Sequence, residues 1–177
     1  MNRMIRQELP KDYRTTEEVV KQAFLNEQYS DGKEHQLVNR IRKSKAFIPE
    51  LSLVAIDEDK AMIGHILLSK ISIVYNDQSV ESLALAPVSV VPQYQKKGIG
   101  SQLIHEGLKK AKALGYHSVI VLGHKYYYPK FGFKQAQLWN IKAPFEVPDE
   151  AFMALELTED SLETVQGVVH YPKAFSE

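Results

Sequence analysis

An apolar run, Val80–Val91, gives way at Pro92 to Gln-Tyr-Gln-Lys-Lys-Gly-Ile-Gly, residues 93–100. Beyond it, Leu103, Ile104, Leu108 and Ala111 fall on one face of a helix. A packed core has no use for two lysines and two glycines at a strand-to-helix junction, but a bound anion does. The first N–H groups of a helix have no acceptor within it, and the aligned peptide dipoles make that end partly positive. Gly98 and Gly100 carry no side chain, so a phosphate can approach the backbone closely. Lys96 and Lys97 bring charge and Ser101 a hydroxyl. The junction predicts a pyrophosphate cradle. It also predicts a helix that crosses back over a sheet, so that the next strand-like segment, His117–Gly123, lies parallel to the first. Gly115 is placed to end that helix.

The remaining segments build around this unit. Met4–Leu9 alternates as a strand. Thr15 or Thr16 is placed to cap a helix with the face Val19, Val20, Ala23 and Phe24, and Leu37, Val38 and Ile41 mark a second helix. Leu51–Ile56 and Ala61–Ile73 read as a hairpin turning at Asp57–Lys60. Val80–Val91 is the most apolar strand and is expected at the centre of the sheet, with Pro87 at a bulge or an edge. Tyr126–Phe133 reads as a short helix or turn entering a strand, and Ala151–Leu157 and Gly167–Pro172 as two more strands. The order β, α, α, three strands, α, β, short α, β defines an α/β protein with a mixed sheet and packed helices. With no repeat or linker, residues 1–177 are expected to form one domain, its core over about 3–135 and its C-terminal strands over about 136–177.

Composition narrows the chemistry. The chain has no cysteine, which excludes disulfides, a thiol nucleophile and Cys-ligated zinc. Its 22 basic and 22 acidic residues leave no net charge, so a nucleic-acid partner is not expected. The six histidines show no metal-ligand spacing, and no metal is expected. Neither a signal-peptide core nor a membrane-length apolar run is present, and a cytoplasmic location is expected, without a membrane partner.

Known phosphate cradles differ in what they require. A P-loop needs G-x-x-x-x-G-K-[ST], which is absent. A dinucleotide fingerprint needs a third glycine where Leu103 stands. The residues present are Gln-x-x-Gly-x-Gly, Gln95–Gly100, after a strand ending Val-x-Pro. This resembles motif A of the GNAT family of acetyl-CoA-dependent N-acetyltransferases. A second block, Tyr126–Phe133, in which Tyr127 and Tyr128 lead to Gly132 and Phe133, resembles that family's motif B. The likeness extends over residues 51–135. Ile48–Ala55, Gly64–Ser69 and Val168–Phe175 also resemble the YhbS-like group of bacterial acetyltransferases.

The resemblance implies a central, mostly antiparallel sheet with one parallel, splayed strand pair and helices on both faces. It implies transfer of an acetyl group from acetyl-CoA to a primary amine, by direct attack in a ternary complex. The amine belongs to a small molecule or, as a second choice, to a protein, and the enzyme would be a monomer or homodimer. Backbone groups of Val88, Ser89 and Val90 would hold the pantetheine and the acetyl carbonyl, where an N–H stabilises the developing oxyanion. Gln95, Lys96, Lys97, Gly98, Ile99, Gly100 and Ser101 would hold the pyrophosphate. His124 would contact the cofactor arm or simply cap a surface turn. Tyr128 would be the general acid, since a phenol with a pKa of about 10 is protonated at neutral pH and can donate to a leaving thiolate. Tyr126 and Tyr127 are expected to pack. The general base stays open among Glu34, His35, His65, Glu81 and water. Where some relatives carry a strand glutamate this chain has Ala84, which leaves a non-catalytic acyl-CoA-binding module as the alternative.

Overall fold

A computed structural model describes residues 4–28 and 30–176. Its strands are β1 (Met4–Gln7), β2 (Ser52–Ile56), β3 (Met62–Tyr75), β4 (Gln78–Val90), β5 (Ser118–Leu122), β6 (Lys134–Gln135), β7 (Ile141–Lys142), β8 (Phe152–Glu156) and β9 (Gly167–His170). Its α-helices are α1 (Tyr13–Phe24), α2 (Glu34–Arg42) and α3 (Ile99–Ala113). All the described strands join one sheet, ordered β1-β2-β3-β4-β5-β8-β6, with β9 on β3 and β7 on β9. β4 and β5 pair in parallel and their main neighbours pair antiparallel, as the chain order implied. β4 lies between β3 and β5, the central place its apolar composition called for.

The strand pleat sends successive side chains to opposite faces. Ile66 and Leu68 of β3 pack with Leu103, Ile104 and Leu108 of α3. Leu67, between them, packs on the other face with Val20 of α1 and Val38 and Ile41 of α2. The helices therefore cover both faces. The C-terminal tail is tied to α2, because Arg40 donates from Nε to the Ala174 carbonyl at 2.8 Å. No described helix is long and apolar enough to cross a membrane.

Helix ends explain one agreement and one correction. Gly115 has φ +93°, and the N–H groups of Gly115 and Tyr116 close on the carbonyls of Lys112 and Ala111. This pair of bonds ends α3 where the glycine predicted. α1, however, does not start at Thr15 or Thr16. Pro10 begins a tight turn that runs straight into the helix at Tyr13, with Asp12 at the N-cap position. Thr16 is instead fully buried, with its hydroxyl 3.6 Å from the Met62 sulfur.

Candidate active site

β4 is long and β5 is short. Their ladder consists of Leu83↔Val119 and Ala84↔Ile120, after which β4 runs on to Val90 paired with β3 alone. Between Ile66↔Val88 and Leu68↔Leu85 the register slips, so that Ala86 and Pro87 together oppose Leu67. Pro87 thus sits in a bulge, the former of its two expected settings. Past Ala84 the backbone edge of β4 that faces β5 has no strand against it. That free edge includes residues 88–90.

On the α3 side of this opening lies a cleft of about 480 Å³. Val88 and Val90 form one wall, and the turn before α3 forms the floor. The turn is held back on the strand by Gln95, whose Nε2 donates to the Val90 carbonyl at 2.9 Å. Lys96 and Gly98 both take positive φ, +63° and +83°, so the chain reverses before entering the helix. No side chain caps the N-terminus of α3, and a Cβ on Gly98 would meet nothing within 4 Å. The first turn of α3, whose N–H groups have no acceptor within the helix, borders the cleft. Those groups, with Lys96 and the Ser101 hydroxyl, fit the pyrophosphate of a coenzyme A ester.

Tyr127, expected to pack, lines this cleft, and so do Tyr94 and Lys130, which the sequence reading did not single out. The Tyr127 hydroxyl reaches Ser101 Oγ at 3.3 Å, and the Lys130 ammonium lies 4.2 Å from the centre of the Tyr127 ring. The signal was present in Tyr127-Tyr128-Pro129-Lys130, where proline starts a tight turn and throws Lys130 back onto Tyr127.

Of the other expected residues, Ile99 borders the cleft although its side chain is buried in the core, whereas Lys97, Ser89 and His124 lie apart from the lining. The ammonium of Lys97 is over the Tyr94 ring at 5.3 Å. Ser89 points to the opposite face, buried opposite His65, and its hydroxyl has no hydrogen-bond partner among the described residues. The exposed His124 lies just beyond β5, and its carbonyl accepts the N–H groups of Tyr127 and Tyr128. This histidine thereby shapes the tyrosine turn through its backbone.

Tyr128 is 8% exposed and packs edge-on against Tyr127 and Phe133. Gly123, at the end of β5, admits its ring, since a Cβ there would overlap it. Burial, followed by the neighbouring Tyr127, pushes its phenol up to about 12.

A second cavity, of about 640 Å³, opens where β4 and β5 part. Ala84, Leu85 and Ala86 of β4 and Ile120 and Leu122 of β5 supply its floor, and Phe145, Tyr171 and Phe175 reach over it. Ala84 and Ile120 belong to the core packed by Val169, Tyr171 and Phe175, on the face away from α3. One strand thus borders both cavities, two residues apart.

None of the four expected bases lines either cavity. Glu34 accepts from the Ser30 hydroxyl, and Glu81 is exposed opposite Ser72. His35 borders a separate polar depression near Arg14 and Glu17. His65 is fully buried, its Nε2 2.9 Å from Ser52 Oγ, and Ser52 in turn donates to Glu8, which pairs with Arg42. Among the described residues no group of three or more acidic or histidine side chains is arranged to hold a metal.

The splayed mixed sheet with a cleft over the N-terminus of α3 can be compared with known proteins. The sequence profile of the acetyltransferase (GNAT) family matches residues 8–133. The uncharacterized N-acetyltransferase YhbS of Escherichia coli K12 is 29% identical over 154 residues, 87% of this chain and 90% of its own. The crystal structure of the Escherichia coli YhbS in complex with CoA superimposes with a TM-score of 0.89 at 26% identity, covering 100% of this chain and 93% of that one. A GNAT family acetyltransferase from Brucella melitensis, solved with acetyl-CoA, is 34% identical with a TM-score of 0.80, covering 98% of each chain. The chain belongs to the acetyltransferase (GNAT) family.

Proposed function

We propose that this protein is an N-acetyltransferase that moves the acetyl group of acetyl-CoA onto a primary amine by direct attack within a ternary complex. The observation that carries this reading is the pair of cavities bordering β4, one over the open N-terminus of α3 and one at the parting of β4 and β5. The crystal structures of the two relatives, solved with CoA and with acetyl-CoA, support the choice of donor.

Acetyl-CoA supplies an activated thioester. The first turn of α3, with Lys96 and Lys130, neutralises the pyrophosphate. The free edge of β4 at Val88, Ser89 and Val90 takes the pantetheine amides and the carbonyl oxygen. An N–H already fixed there stabilises the oxyanion without reorganising. The amine nitrogen forms a bond to the carbonyl carbon, the carbon–sulfur bond breaks, and the sulfur leaves as thiolate. Tyr128, protonated across the working pH range, donates to that thiolate. The attacking nitrogen gives up its own proton to water on the cavity side, and a proton from water restores the Tyr128 hydroxyl.

Isothermal calorimetry with acetyl-CoA, paired with free-thiol release against a broad amine panel, tests the reading. Tight acetyl-CoA binding with amine-dependent thiol release is expected. Binding without release against every amine would make the protein a non-catalytic acyl-CoA module.

A further inference from the structure

We propose that the amine acceptor is a monoamine carried on an apolar body, an arylalkylamine or alkylamine, bound in the cavity between β4, β5 and the C-terminal tail. The inference rests on the acetyl-CoA reading of the α3 cleft and specifies what meets it from the other face.

Position comes first. The cavity begins at Ala84, the last residue of β4 paired to β5, and ends at Ala86, two residues short of Val88 in the α3 cleft. A molecule seated in it reaches the free edge of β4 from the side opposite the pyrophosphate.

The wall chemistry then selects the molecule. Aliphatic Ile120, Leu122 and Val169 face an aromatic arch in which Phe145 stacks on Tyr171 at 6.1 Å and 14°, and Tyr171 meets Phe175 at 5.1 Å. Among the described lining residues there is no Asp, Glu, Lys or Arg. A polyamine or a lysine-rich peptide would enter with surplus positive charge and find no counter-charge, and an amino acid would bring a carboxylate with no cation to meet it. An apolar body loses nothing and gains contact with the arch. Glu146 and Asp149 line a neighbouring cavity that shares only Phe145 with this one. The Tyr171 phenol is pushed up to about 12 by burial, which agrees with a poorly hydrated wall.

Thiol release by the full chain at saturating acetyl-CoA, with 2-phenylethylamine, hexylamine, ethylamine, spermidine and a lysine peptide as probes, tests the assignment beside a calorimetric acetyl-CoA titration. The first two should exceed the others at least tenfold in kcat/KM. Leu122, 47% exposed, tolerates a polar change. Leu122→Asp should leave acetyl-CoA affinity intact, lower kcat/KM for phenylethylamine at least tenfold and raise it for spermidine. Preference for spermidine or the peptide, or an unchanged profile in Leu122→Asp, overturns the acceptor class and leaves the transferase reading standing. Failure to bind acetyl-CoA removes both.

Discussion

The hydroxyls of Ser101 and Tyr127 stand 3.3 Å apart at the N-terminus of α3, joining the two sequence blocks that line the cleft there. Gly100 lies directly beneath, where an added Cβ would come 3.4 Å from the Tyr127 oxygen and 3.8 Å from Val90. Such contacts are ordinary for folding, so Gly100→Glu should fold. Its carboxylate would nonetheless occupy the anion position. Acetyl-CoA binding by calorimetry should be lost with the melting temperature nearly unchanged, and retained affinity would move the pyrophosphate elsewhere.

Tyr128→Phe keeps the packing against Phe133 and Gly123 and removes only the hydroxyl. Acetyl-CoA affinity should persist while kcat falls roughly ten- to a thousandfold. Because burial holds the phenol at about 12, its ionisation adds no alkaline limb to the pH–rate profile below about pH 11. A fall in activity centred near pH 9 that vanishes in Tyr128→Phe would contradict this environment.

His65 links acidity to stability. Burial, offset partly by Glu8 and reinforced by Arg42, lowers its pKa from 6.5 to about 4. Between those values the unfolded chain binds a proton that the folded one refuses. Stability is complete above pH 6.5 and is lost as pH falls toward 4, by about 3 kcal/mol at 1.36 kcal/mol per unit. Asp12, whose carboxyl the Arg6 hydrogen bond holds below its ordinary range, stabilises the fold throughout this window and loses that contribution only as pH falls below 3.8. Thermal melts at pH 7 and pH 4.5 should differ less in His65→Gln than in the parent, and equal differences would place the acid sensitivity elsewhere.

What could be read without coordinates followed locality. The turn Gln95–Gly100, the Gly115 stop and the apolar β4 are encoded within a few residues, and each was found where expected. Thr16 misled because Pro10 and Asp12 start the helix earlier and leave its hydroxyl to the core. Lys130 escaped because its place depends on the tyrosine turn folding back toward α3, where it meets Tyr127. The lining of the second cavity is not encoded in any one segment. Ala84, Leu122, Phe145 and His170 are far apart in the chain and carry no pattern that announces a shared wall.

The attachment of β9 to β3 at Ser72–Val74, beyond the end of β2, has an evolutionary consequence. In the proposed reading the donor grip would come from one continuous stretch near 88–101 with a short contribution from the tyrosine turn, whereas the aromatic arch over the second cavity is drawn from residues after 140. Mutational drift in the tail can therefore retune which amine is taken while inheritance of the donor grip stays untouched. Grafting the segment from residue 140 onward from a relative should transplant amine preference and preserve acetyl-CoA affinity, and a chimera that lost both would show the two halves to be inseparable.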